Sequence, residues 1–329
     1  MSNRWPGGVI RQTPVIPAGP FKCGAASGVW SLADAAYWTK QGLWPDANRG
    51  DGTFSIFALG FTTAASTTRD KYTYAGCAVS AGGAATVASY YGSAAGNSTV
   101  GIFALGLVGG AGSTTRNKYT YAGDVVTTGG AATVASAAGS AAGNSTVGIF
   151  TLGCGASNTR NKYTYSGDVV TSSSMSISRY GSAAGTATFG IFALGYICAP
   201  TTTREKYTYS NDTASSATAA TAAAYFGSAA GNSTVGIFAL GIVSGAGSTT
   251  RNKYTYASCV VTAGGASTAV SYYSSAAGNS TIGIFALGGG LSTRNKYTYA
   301  GCVVAVGGAA SVASQQGSAA SSGIANVTT

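Results

Sequence analysis

Six arginine–lysine pairs stand in one recurring phrase, T-R-x-K-Y-T-Y, with the arginines at Arg69, Arg116, Arg160, Arg204, Arg251 and Arg294. They supply twelve of the 18 basic residues in a 329-residue chain that has 8 acids and a formal charge of +10. Cations at this spacing could hold an anionic ligand, or could keep sheet edges from associating. The stripe, exemplified by Arg69, Lys71, Arg116, Lys118, Arg160 and Lys162, is read first as a solvated strand face and second as a surface for recognition. Spread evenly over repeats and lacking a dense basic run, it argues against a nucleic-acid partner.

Other side chains narrow the chemistry further. The chain has no histidine, which removes the usual general base and the common zinc and copper ligands. The acids Asp34, Asp46, Asp51, Asp70, Asp124, Asp168, Glu205 and Asp212 form no close pair outside repeat-equivalent positions, whereas a glycosidase needs two carboxyls a few ångströms apart. The expectation is a non-enzyme, with no catalytic residue, cofactor or metal. Cysteines occur at Cys23, Cys77, Cys154, Cys198, Cys259 and Cys302 with no C-x-x-C pair, and three of them share a slot with Asp124, Asp168 and Asp212. Equivalent slots in a ring lie beyond disulfide reach, so free thiols and a reducing cytosol are expected.

Tyrosines fall into two groups. Those of the Tyr-x-Tyr pairs, such as Tyr119 and Tyr121, occupy one slot in every repeat and are read as core. A second group, Tyr90, Tyr91, Tyr180, Tyr225 with Phe226, Tyr272 and Tyr273, differs between repeats. With the links 60–66 and 196–202, these are the better candidates for surface recognition, because loops on a rigid scaffold carry binding.

These residues need a scaffold, and the spacing describes one. Successive arginines are 47, 44, 44, 47 and 43 residues apart, a period that belongs to repeat architectures. Within each unit, G-I-F-A-L-G reads as a strand buried on both faces, with isoleucine at 56, 102, 149, 191, 237 and 284. T-R-x-K-Y-T-Y alternates, placing Arg116, Lys118 and Thr120 opposite Asn117, Tyr119 and Tyr121. An A-G-D turn leads to V-V, and the small-residue strand G-S-A-A-G suits a crowded axis. Four short strands per unit and six units predict an all-β, six-bladed β-propeller over 49–329. The last G-S-A-A strand, within 317–325, is expected to complete the blade that holds Ile56.

The first 48 residues differ in kind. All four tryptophans lie there, Pro6, Pro14 and Pro17 mark an extended arm, and 31–42 reads as a short helix capped by Ser31 and ended by Gly42. Such a helix is too short to stand alone and must pack on something. No apolar run is long enough to span a membrane, so membrane insertion is not expected. Met1 to Arg4 also lacks the apolar stretch of a secretory signal.

The repeat resembles a Kelch-type propeller unit, with I-F-A-L-G-G in place of the Kelch strand that ends in a double glycine. That doublet is clear only at Gly288–Gly289, and small residues such as Val126 and Val261 replace the usual tryptophan. The opening, with G-G-V-I followed by A-S-G-V-W-S-L-A-D-A-A-Y-W-T-K-Q-G-L-W-P, resembles virion structural proteins of tailed bacteriophages, particularly those of cyanobacteria. This resemblance implies a virion location and a fibre-like attachment role on tail or baseplate, with residues 1–48 docking on the particle and 49–329 displayed. The docking set is Trp5, Val9, Ile10, Trp30, Leu32, Trp38, Leu43 and Trp44. Implied partners are other virion proteins, further copies of the chain as a homo-oligomer, and a host surface glycan. A capsid decoration protein and a free carbohydrate-binding lectin are the alternatives.

Overall fold

The computed structural model describes residues 53–153, 158–174, 176 and 179–322. The expected helix, the tryptophan-rich docking set, Cys23 and Cys154 lie outside these residues.

Each repeat builds a four-stranded antiparallel sheet. In the second sheet the order is Ser93–Gly96, Val100–Ala104, Arg116–Thr120 and Val125–Thr128, with Ala95 opposite Ile102 and Ile102 opposite Lys118. Corresponding inner strands are Ala141–Gly143, Ser182–Gly185, Ser228–Gly231 and Ser275–Gly278 in the third to sixth sheets. The first sheet takes Phe54–Ala58, Arg69–Thr73 and Ala78–Ala81 from one end of the chain and Ser318–Ser321 from the other. Ile56 pairs with Ala320, so the C-terminal strand closes the sheet of Ile56 as its sequence suggests.

Packing between sheets follows from the pleat. Neighbouring residues of the I-F strand point to opposite faces, and both faces are covered. Ile56 packs forward on Phe103, Tyr119 and Tyr121 of the second sheet, while Phe57 packs backward with Ile284 of the sixth. The same pattern fills the other junctions, with Ile102 against Phe150, Ile149 against Phe192, Ile191 against Phe238, and Ile237 against Phe285. Every junction thus has its own apolar cluster, and the sixth sheet meets the first. The inner strands also neighbour one another around a common axis. Their small residues are required there: a Cβ on Gly96 would lie 2.6 Å from the Val100 carbonyl oxygen and 2.9 Å from the Tyr121 hydroxyl.

The two ends of the ring are built differently. At one end the N-S-T phrases form turns. Asn97 Oδ1 accepts from the backbone N–H groups of Thr99 and Val100, and its Nδ2 donates to the Ser145 carbonyl of the next sheet. Asn144 and Asn232 brace their neighbours in the same way, through Ala187 and Ser280. At the other end, a residue two or three positions before each inner strand adopts left-handed backbone: Gln316, Tyr91, Ala138, Tyr180, Phe226 and Tyr273 have φ of 53° to 59°. Five backbone hydrogen bonds of 2.8–2.9 Å link these six residues around the axis, from Tyr91 to Gln316, Ala138 to Tyr91, Tyr180 to Ala138, Phe226 to Tyr180, and Gln316 to Tyr273.

Candidate functional site

The arginines of the repeated phrase are not on the surface. Arg69, Arg116 and Arg160 are 1%, 0% and 3% exposed, so the expected solvated Arg-x-Lys face is corrected to a junction layer. The reason is the ring itself, which covers both faces of every sheet. Arg69 lies over the Phe103 ring at 4.6 Å, and its Nη2 donates to Asn117 Oδ1 at 3.0 Å. Asn117 in turn donates to Thr86 Oγ1 and accepts from the Thr86 backbone N–H. Arg116–Asn161, Arg204–Asn252 and Arg251–Asn295 repeat the bond. Burial pulls the guanidinium groups of Arg69, Arg116, Arg204 and Arg251 down to about 10, against the pull of a neighbouring tyrosine in each case. They remain cationic at neutral pH, with the Phe face and the Asn carbonyl as their compensation.

Two junctions depart from the pattern. Where the sixth sheet meets the first, Asp70 replaces asparagine and forms an ion pair of 2.7 Å with Arg294, both side chains being at most 1% exposed. Where the third meets the fourth, Glu205 stands in that slot and bonds to Ser176. Arg160 there turns to the Asp212 carbonyl and to Ser173 Oγ.

The lysines are half-buried at the outer part of the junctions. Lys71, Lys118 and Lys162 pair with Asp124, Asp168 and Asp212 of the following sheet at 2.8–2.9 Å. The same carboxylates accept from Tyr119, Tyr163 and Tyr207. Partial burial alone pushes Asp168 and Asp212 up, but the phenol and lysine contacts outweigh it and hold both below the ordinary carboxylate range. In the other three sheets the slot holds Cys259, Cys302 and Cys77, all free thiols, and among the described residues no carboxylate lies within ion-pair distance of Lys206, Lys253 or Lys296. Every described carboxylate is therefore committed to a packing contact. Among the described residues no three metal-ligating side chains cluster.

The Tyr-x-Tyr pairs are core, with Tyr72, Tyr119, Tyr163, Tyr207, Tyr254 and Tyr297 at most 1% exposed. Burial pushes their phenols up, to about 12 at Tyr119 and Tyr254. The repeat-variable aromatics behave otherwise, and the structure brings them together. Tyr91, Tyr180, Phe226 and Tyr273 converge on the axis, with ring centroids 4.1 Å apart for Tyr180–Phe226, 4.0 Å for Phe226–Tyr273 and 5.9 Å from Tyr91 to each of the three. Gln316 Nε2 donates to the Tyr91 hydroxyl at 3.0 Å.

Three spokes run outward from this hub. Tyr90 touches Tyr91 and Phe61, Tyr225 touches Phe226 and Tyr196, and Tyr272 touches Tyr273. All of these aromatics are half-buried, presenting part of a ring or hydroxyl to solvent. Sequence reasoning named the tyrosines and the two links that carry Phe61 and Tyr196. It could not place them on one face, and it missed Gln316 and Ala138, whose small or polar side chains gave no signal.

No known family pattern and no curated protein matches the chain. Among solved structures it is similar to the crystal structure of TolB from Acinetobacter baumannii, with a TM-score of 0.57 and 12% identity over 88% of this chain and 70% of that one. At that identity the likeness gives the fold, a β-propeller, and nothing of the activity.

Proposed function

We propose that the chain is a non-enzymatic virion structural protein of a tailed bacteriophage. Residues 1–48 dock it on the particle, and a six-bladed Kelch-like propeller is displayed outward for host attachment. One observation carries the reading: side chains that every repeat shares are spent on packing, whereas the aromatics that differ between repeats gather on one accessible end. A scaffold of that kind is built to present a face. The docking half rests on the resemblance of the opening residues to phage virion proteins and on the gathering of all four tryptophans in that segment.

Deleting residues 1–48 tests it. The expected outcome is a soluble ring that melts as one unit and no longer enters particles assembled with it in place of the full chain. Undiminished occupancy on purified particles would refute the anchor, and normal adsorption by particles without the protein would refute the attachment role.

A further inference from the structure

We infer that the axial aromatic end binds a neutral, hydroxyl-rich carbohydrate, with Tyr91, Tyr180, Phe226 and Tyr273 as the stacking hub. The inference rests on the attachment reading above and names the ligand class for it.

Backbone conformation is the first argument. The ring of hydrogen bonds needs left-handed residues at these six positions, which glycine would serve without steric cost. Four of the six are instead bulky aromatics, a costly choice at φ of 53–57° that packing of the inner strands does not require. Ala138 and Gln316 occupy the same slot, so the backbone tolerates small and polar side chains there. The aromatic identity answers to something outside the scaffold.

Charge and footprint then select the ligand. The depression on the axis is lined by the hub, by Ala138, Gln316 and Ser274, and by glycines, with no charged side chain among them. A polyanion would find no cation within this depression, and Arg179, in the spoke position beside Tyr180, lies outside its lining. A protein partner needs about 800 Å² on each side, whereas the depression here is lined by four aromatic rings set among glycines such as Gly92, Gly139 and Gly181. Sugar rings suit such a surface. Their C–H groups lie on the negative face of a phenol ring, and their hydroxyls meet polar tips at the edge. The Tyr91 hydroxyl, held by Gln316, supplies such a tip. Burial first, and neighbouring Tyr273 second, push its pKa far up, so it stays protonated as a donor.

The test uses the full chain against maltotetraose, cellotetraose and mannotetraose and their sulfated forms, first immobilised and then by titration calorimetry. At least one neutral tetrasaccharide is expected to bind with an affinity unchanged by added salt. Tyr91→Gly and Tyr273→Gly should each weaken it about tenfold or more, with a melting temperature held or raised because glycine accepts the left-handed backbone. Ala138→Tyr, which adds a ring to the hub, should strengthen it and serves as the check if a glycine variant fails to fold. Binding that is confined to sulfated sugars and abolished by salt, binding indifferent to all three substitutions, or no neutral binding at all would each overturn the inference. Those outcomes leave the attachment role standing if particles still need the chain to adsorb; normal adsorption without it removes that role whatever the sugars do.

Discussion

The ring has two unlike halves. Across the first three junctions a lysine meets an aspartate, at Lys71–Asp124, Lys118–Asp168 and Lys162–Asp212. Across the other three, the slot facing the lysine holds Cys259, Cys302 and Cys77. The backbone is the same in both, since all six residues sit at φ of 53–57°. The left-handed slot thus forms without the ion pair and, after Asn211 and Ser258, without a preceding glycine, and the ion pair is an addition to a junction already held by Ile, Phe, Tyr and Arg. Among the described ion pairs charge is decisive at one, the seam between the sixth sheet and the first, because there the Arg294–Asp70 pair is buried. Half-exposed pairs contribute little, whereas a buried cation that loses its only anion has no replacement from water.

The largest expected effect separates the seam from the rest. Asp70→Leu should destabilise the fold by about 3–5 kcal/mol in denaturant unfolding, since it strands the buried Arg294 guanidinium. Asp70→Asn should cost about 1 kcal/mol or less, because asparagine already accepts from arginine at Asn117, Asn161, Asn252 and Asn295. Equal losses for the two variants would break the contrast between seam and ring.

Next in size is Asp168→Ala, which removes the acceptor of Lys118 and of the Tyr163 hydroxyl at a site about one-third exposed. It should cost about 1 kcal/mol, and a loss as large as that of Asp70→Leu would mean the outer pairs carry the junctions. The pH response follows. Asp168 and Asp212 have lowered pKa values in the fold, so their contribution is complete above the unfolded carboxylate value of about 4 and fades as pH falls through the lowered one. Acid melting curves of Asp168→Asn/Asp212→Asn should be flatter than the parent's below pH ~4 and should converge with it there. Smallest is Cys302→Asp, which gives Lys253 the partner its counterparts have and suits the left-handed position. A gain of about 0.5 kcal/mol is expected in thermal unfolding, and a loss would show that the cysteine half is tuned to its thiols.

Much of this architecture is legible in the repeats. The four strands, the small inner strand and the closing pair of Ile56 with Ala320 follow from period, alternation and the unmatched strand at the C-terminal end. The arginines are not legible, because alternation assigns them to the face of Lys118 and Thr120, and single-strand reasoning treats that face as wet. In a ring the face is covered by the next sheet, and only the outer half of the stripe reaches water. A signal was present in the residue after each arginine, Asp70, Asn117, Asn161, Glu205, Asn252 or Asn295, always able to accept a guanidinium hydrogen bond. The aromatic end was half legible: variation between repeats marked its tyrosines, but their meeting point depends on left-handed backbone that no local pattern announces.

The shared sheet at the seam also orders events during synthesis. Phe54–Ala58 emerges from the ribosome first among the described strands, yet its inner neighbour, Ser318–Ser321, is the last to appear. Until Ser318–Ser321 is made, that strand keeps an open edge, and until residue 294 is made Asp70 lacks its cation. Nascent chains stalled before residue 318 should therefore be vulnerable to proteolysis at Phe54–Ala58, and the arrival of Ser318–Ser321 is the moment at which the sheet locks.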